Sequence, residues 1–118
     1  MFRTIAATGI VAAGLALSAG AAQANDVMVC VENNAGVAGK YNITFYAGDN
    51  EAREDRSDNS FSLGNSACYK KSDVRAMNVT IWGWTTKWEK ICDINRRPGQ
   101  SLKVQMKGTV FNLSCGVF

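Results

Sequence analysis

Histidine is absent from all 118 residues, and with it go the Ser-His-Asp and Cys-His nucleophilic schemes and the commonest general base near neutral pH. There is no C-x-x-C pair, and the cysteine spacings of 38, 24 and 23 residues fit no zinc knuckle or ribbon. Also missing are a glycine-rich phosphate loop and a dinucleotide fingerprint. Carboxylates gather mainly between Asp49 and Asp58, in a stretch too polar to raise one pKa for general-acid work. These absences argue against an enzyme and against any metal or cofactor. A formal charge of only +3, without a clustered basic face, argues against nucleic acid as a partner. Proline occurs once, as Pro98, and no segment after residue 24 carries a helical period.

What is present begins with a leader. MFRTIAATGIVAAGLALSAGAAQA, residues 1–24, joins an early Arg3 to an apolar run from Ile5 to Leu17 and an A-x-A site before Asn25, the three parts of a cleaved secretory signal. The run is shorter than the ~20 residues a membrane span needs. Export to the periplasm or the exterior is expected, leaving residues 25–118 as one domain. Loss of Arg3 takes the charge from +3 to +2. The alanine-rich leader suits a bacterium.

Cys30, Cys68, Cys92 and Cys115 all fall in the exported part, and an even count in a short secreted chain predicts two disulfides. Sequence allows three pairings. Cys30 with Cys115 and Cys68 with Cys92 is preferred, because first and last strands often lie side by side in a sandwich.

The mature chain alternates with period two. DVMVCVE sets Val27, Val29 and Val31 on one face and Met28 and Cys30 on the other, as in a central strand. KYNITFYA alternates Tyr41, Ile43, Phe45 and Ala47 with polar neighbours. DNEAREDRSDNS, Asp49 to Ser60, has no large apolar residue and reads as an exposed hairpin tip or helical turn; its acids lack the EF-loop order required for calcium. Short apolar alternations follow at Phe61–Leu63 and Ala67–Tyr69, then RAMNVTIWGW, with Met77, Val79, Ile81 and Gly83 on one side and Asn78, Thr80, Trp82 and Trp84 on the other. KWEKICDI places Trp88 and Cys92 on a face with Lys90. After the Pro98-Gly99 turn, LKVQMKG points Leu102, Val104 and Met106 inward, and Phe111, Leu113, Cys115 and Val117 make the last apolar face. Seven to eight short strands of this kind predict an all-β, disulfide-stabilised antiparallel β-sandwich or small barrel.

All three tryptophans lie in TIWGWTTKW. Residues two apart on a strand share a face ~7 Å apart, so Trp82 and Trp84 form adjacent platforms opposite the core-facing Val79 and Ile81. Tryptophan is also a common core residue: if Thr85-Thr86 is a hairpin tip, Trp82 and Trp88 become near cross-strand neighbours that serve packing, and Trp84 stands alone at the turn, the one of the three best placed for outside contact. Trp82, Trp84, Trp88 and Lys87 are therefore the candidate ligand-binding residues, with Lys70, Lys71, Lys90, Arg96 and Arg97 as a basic rim at one end of the sheet. The leading expectation is a secreted, non-enzymatic binding protein that engages a glycan, an envelope component or a protein ligand through this aromatic surface. Two alternatives share the scaffold: a membrane-active or antimicrobial factor acting at a membrane surface, and an inhibitor of a lytic enzyme that presents the Asp49–Ser60 tip.

Overall fold

The computed structural model describes residues 24–47 and 52–118; the leader before Ala24 and residues 48–51, with the Asp49 end of the acidic segment, lie outside the described residues. Among the described residues seven strands follow in order: β1 (Asn25–Ala35), β2 (Gly39–Ala47), β3 (Ala52–Phe61), β4 (Ser66–Trp84), β5 (Trp88–Arg96), β6 (Leu102–Thr109) and β7 (Asn112–Val117). They form one hydrogen-bonded path, β3-β2-β4-β1-β6-β7, with β5 paired to β4. All pairings are antiparallel except β1 with β6.

The 19-residue β4 turns this path into two layers. Its first half, Ser66 to Val74, pairs with β1, whereas Val74 to Gly83 pairs with β2 and Met77 to Trp84 with β5. Asp73 sits at the changeover with φ 59°, a left-handed conformation that aspartate tolerates better than most side chains. The sequence shows two short segments here because the charged KKSD stretch interrupts the apolar alternation without ending the strand. One layer is thus β3-β2-β4-β5 and the other β4-β1-β6-β7, a seven-strand sandwich.

Between the layers lie Val29 and Val31 of β1, Ile43 and Phe45 of β2, Val79 and Ile81 of β4, and Val104 and Met106 of β6, all buried. Their period-two spacing sends the intervening residues outward. Fully burying each large side chain stabilises the fold by ~1.5–3 kcal/mol. Along one open seam, Tyr41 packs edge-to-face on Phe61 with centroids 4.8 Å apart, and the Tyr41 and Tyr69 hydroxyls hydrogen-bond. Burial, then the contact with Tyr69, pushes the Tyr41 hydroxyl pKa well above its usual value.

Three expectations are corrected here. Residues 52–60 form no loop: β3 is an edge strand whose residues pair with β2 from Gly39↔Phe61 to Ala47↔Ala52. Its charges, including the Glu54–Arg56 and Glu54–Lys71 ion pairs, hide the strand from a hydropathy reading and blunt an edge that would otherwise invite further pairing. The disulfides are Cys30–Cys68 and Cys92–Cys115. β6 separates β1 from β7, so the first and last strands never meet; Cys30 instead stands directly opposite Cys68 within one layer, while Cys92–Cys115 joins β5 to β7 across the two layers. Finally, a register shift between Ile81 and Trp82 buries Cys92 while leaving Trp88 and Lys90 exposed, so these three do not share a face.

Candidate functional site at the turn end

The registers bring four turns to one end of the sandwich. β1 ends at Ala35 beside Gly108 of β6, β2 begins at Gly39 between Phe61 and Gly83, and β4 ends at Trp84 opposite Trp88. The β1–β2, β3–β4, β4–β5 and β6–β7 turns therefore emerge together. Backbone hydrogen bonds lace them: the Trp84 N–H donates to the Ala38 carbonyl at 2.8 Å, the Gly36 N–H to the Gly108 carbonyl at 3.0 Å and the Gly64 N–H to the Asn33 carbonyl at 2.8 Å.

Asn33 is the buried hub of this lacing. Its side-chain amide donates to the carbonyls of Val37 at 3.1 Å and Phe61 at 2.7 Å, and its Oδ1 accepts from the Ala35 N–H at 2.9 Å. A buried polar side chain is tolerated when its groups are paired, and here the pairing fixes two turns relative to one another. The sequence pattern presents Asn33 only as a turn former, since nothing local reveals that one of its partners, Phe61, lies 28 residues away.

Glycine settles the geometry of the aromatic stretch. A Cβ on Gly83 would come within 2.9 Å of Leu113 Cδ1 and 3.1 Å of Met106 Sδ, so the inner face has no room for a side chain. The flanking indoles of Trp82 and Trp84 take the outer face, as the alternation predicts. Gly108, with φ 109°, makes the bend that carries Val110 and Phe111 out of the β6–β7 hairpin. Phe111 thus belongs to a turn, not to the inner face of β7 expected from sequence, and Val117 is also exposed.

The outcome is a cluster of large apolar side chains in water at this end: Phe111 94% exposed, Leu63 63%, Trp84 45%, Val110 43% and Trp88 37%. Trp84 and Trp88 meet edge-to-face, centroids 5.2 Å apart. The hairpin is present, but the cross-strand aromatic pair is Trp84 with Trp88; Trp82 lies opposite Lys40 and Lys90. The Lys40 ammonium rests 5.1 Å from the Trp82 ring and 4.7 Å from the Trp88 ring, within cation–π range. Lys87 is exposed at the hairpin tip, where Thr85 donates from its N–H to the Lys87 carbonyl and from its hydroxyl to Glu89.

Of the residues singled out from sequence, Trp82, Trp84, Trp88 and Lys87 come together here, and Lys90 joins them. The basic rim does not survive: Lys71 pairs with Val27 and Arg96 with Met77, at the opposite end. Leu63, Val110, Phe111 and Lys40 were not legible as site residues. An isolated large apolar residue in a turn has no periodic signal, although SLGN and GTVFN, each placing such residues beside a turn-forming glycine, are the local trace of it.

On the outer face above the tryptophans runs a polar ladder. Asn78 donates to Asp93 and Asn95 and accepts from Thr80, and Thr44 donates to Asp55. The Asn78 hydrogen bond holds the Asp93 carboxyl below its usual pKa, and the Thr44 hydroxyl does the same for Asp55.

No protein-family model matches the chain, and no curated protein resembles it in sequence. Its fold is similar to part of several solved toxins. Suilysin, a cytotoxin of Streptococcus suis, superposes with a TM-score of 0.64 at 17% identity over 80% of this chain and 23% of its own. A non-hemolytic pneumolysin from Streptococcus pneumoniae strain ST306 gives 0.65 at 13% identity, over 80% of this chain and 24% of its own. Listeriolysin O gives 0.60 at 12% identity, over 80% and 22%. The chain therefore spans about a quarter of the length of these toxins, and at such identities the similarity is one of fold.

Proposed function

We propose that the protein is an exported, non-enzymatic membrane-binding domain that docks on a lipid surface with its turn end. The observation that carries this reading is the convergence of Leu63, Trp84, Trp88, Val110 and Phe111 in water at three of the four interlaced turns. Scattered exposed apolar residues need no explanation, but a group of them at one end marks an interaction site. Burial of a large apolar side chain gains ~1.5–3 kcal/mol, so partial insertion of five supports reversible binding. Because Asn33 and the turn-to-turn hydrogen bonds already fix the backbone, little ordering cost opposes docking. Tryptophan suits the interfacial level, with an apolar body and a polar N–H. Likeness to toxin folds and two disulfides in a short chain support an extracellular setting.

A soluble glycan is less well supported as the ligand, because the amides and hydroxyls above Trp82 are already hydrogen-bonded to one another. Inhibition of a lytic enzyme by a protruding acidic tip loses its basis over residues 52–60, which are paired along β2.

The test is vesicle co-sedimentation with the wild-type protein and with Leu63→Ser/Phe111→Ser. Wild type should bind and the double variant should lose most binding while keeping its thermal midpoint. Wild-type protein that stays in the supernatant across vesicle compositions would remove the reading.

A further inference from the structure

The row directly above the apolar tip is cationic. Trp84 pairs with Trp88 at the last rung of the β4–β5 hairpin, and two residues back, ~7 Å up the strand, Trp82 lies between Lys40 on β2 and Lys90 on β5. Lys87 stands one step beyond that rung, at the exposed hairpin tip, from which its long side chain can reach back to the level of the row. Glu89, which accepts from Thr85 at 2.9 Å, is the carboxylate beside them, and Lys90 has only a long, exposed contact of 3.5 Å to Asp93. The charge of this group is three lysines less Glu89 and the Asp93 that Lys90 contacts, +1. With the tip residues in the acyl boundary and Trp84 and Trp88 at the interface, this row falls at the depth of lipid phosphates.

We propose that Lys40, Lys87 and Lys90, ranged around Trp82 and Trp88, form a headgroup-level site for the phosphates of anionic phospholipids. The proposal rests on the membrane-docking reading and adds the lipid class to it. Lys40 is placed for the role by its neighbours: its ammonium is held against two indole rings on the outer face, and among the described residues no carboxylate forms an ion pair with it. Near an anionic surface each lysine strengthens binding about five-fold, so three give roughly 100-fold, an effect that salt screens.

The experiment measures affinity for phosphatidylcholine vesicles with and without phosphatidylglycerol, for wild type, Lys40→Gln/Lys87→Gln/Lys90→Gln, and Lys70→Gln/Arg97→Gln at the far end. Wild type should prefer the anionic vesicles by roughly 100-fold; the triple variant should lose that preference and retain its binding to phosphatidylcholine, and the far-end variant should keep most of it. Equal wild-type affinity for both vesicles overturns the headgroup site and leaves membrane docking intact, whereas binding to neither overturns both. An equal loss in the far-end variant would reduce the effect to net charge and sink the site. So would lysine-dependent binding to soluble dextran sulfate that exceeds binding to the anionic vesicles.

Discussion

The two ends of the sandwich are built from the same strands and expose opposite chemistry. At the far end Arg53 pairs with Asp55 on the outer face, while Glu54 pairs with both Arg56 and Lys71 at an open groove of about 690 Å3 that these three line with Asp26, Met28, Lys70 and Ser101 among others. Met28, Val117 and Phe118 are exposed away from the turns, but Phe118 lies against the Lys103 ammonium and its backbone pairs with that of Lys103. At the turn end the backbone is tied down by carbonyls, amides and buried Asn33, while the apolar side chains are left without such cover. Polar groups there hold the scaffold and apolar groups face outward, the reverse of what solubility requires. This arrangement supports the docking proposed for the turn end.

The largest expected effect breaks the rigid half of that contrast. Asn33→Ala strands the buried Phe61 carbonyl and Ala35 N–H and the part-buried Val37 carbonyl, each costing ~1–3 kcal/mol, so denaturant unfolding should show a loss of about 3–5 kcal/mol; a loss below about 1 kcal/mol would deny Asn33 its role as hub. Next comes the strap between layers. Cys92→Ser/Cys115→Ser should cost ~3 kcal/mol by the same measurement, with a cost near zero meaning that β5 and β7 hold together without it.

How far the comparison was visible beforehand differs by end. Alternation was enough to find the inner faces at Val27–Val31, Tyr41–Phe45, Met77–Ile81 and Leu102–Met106, because burial on one face of a strand imposes period two. It failed at β3, whose inward positions Glu54 and Arg56 lie along an open seam that charged side chains can line, so there was no apolar contrast to read. The disulfide pairing was illegible because strand order, not distance along the chain, decides which cysteines meet. Trp82, Trp84, Trp88 and Lys87 stood out by their crowding in sequence. Leu63 and Phe111 lie 48 residues apart, and only the topology makes them neighbours of the same end.

Smaller effects sharpen the outward-facing half. Trp84→Ala should lower stability by no more than about 0.5–1.5 kcal/mol, the worth of its edge-to-face pairing with Trp88, yet weaken vesicle binding clearly; a cost of about 3–5 kcal/mol would make Trp84 a core residue and remove it from the docking surface. The smallest effect belongs to the far end. Lys71, foremost, and Arg56 hold the Glu54 carboxyl below the usual glutamate range, and Lys103, through its hydrogen bond, does so for Glu32. Their contribution is present above the unfolded pKa and is lost as pH falls through the lowered folded values. A thermal melt series should therefore show the midpoint declining below about pH 4.5, less steeply in Glu54→Gln; an unchanged slope in that variant would detach the ion pairs from stability.

Depth-dependent quenching of single-tryptophan variants by lipids brominated along their acyl chains tests end-on docking most directly. The account predicts that Trp84 and Trp88 are quenched strongly on vesicle binding and Trp82, one rung higher, more weakly. Equal quenching of all three, or none beyond that in solution, would contradict it.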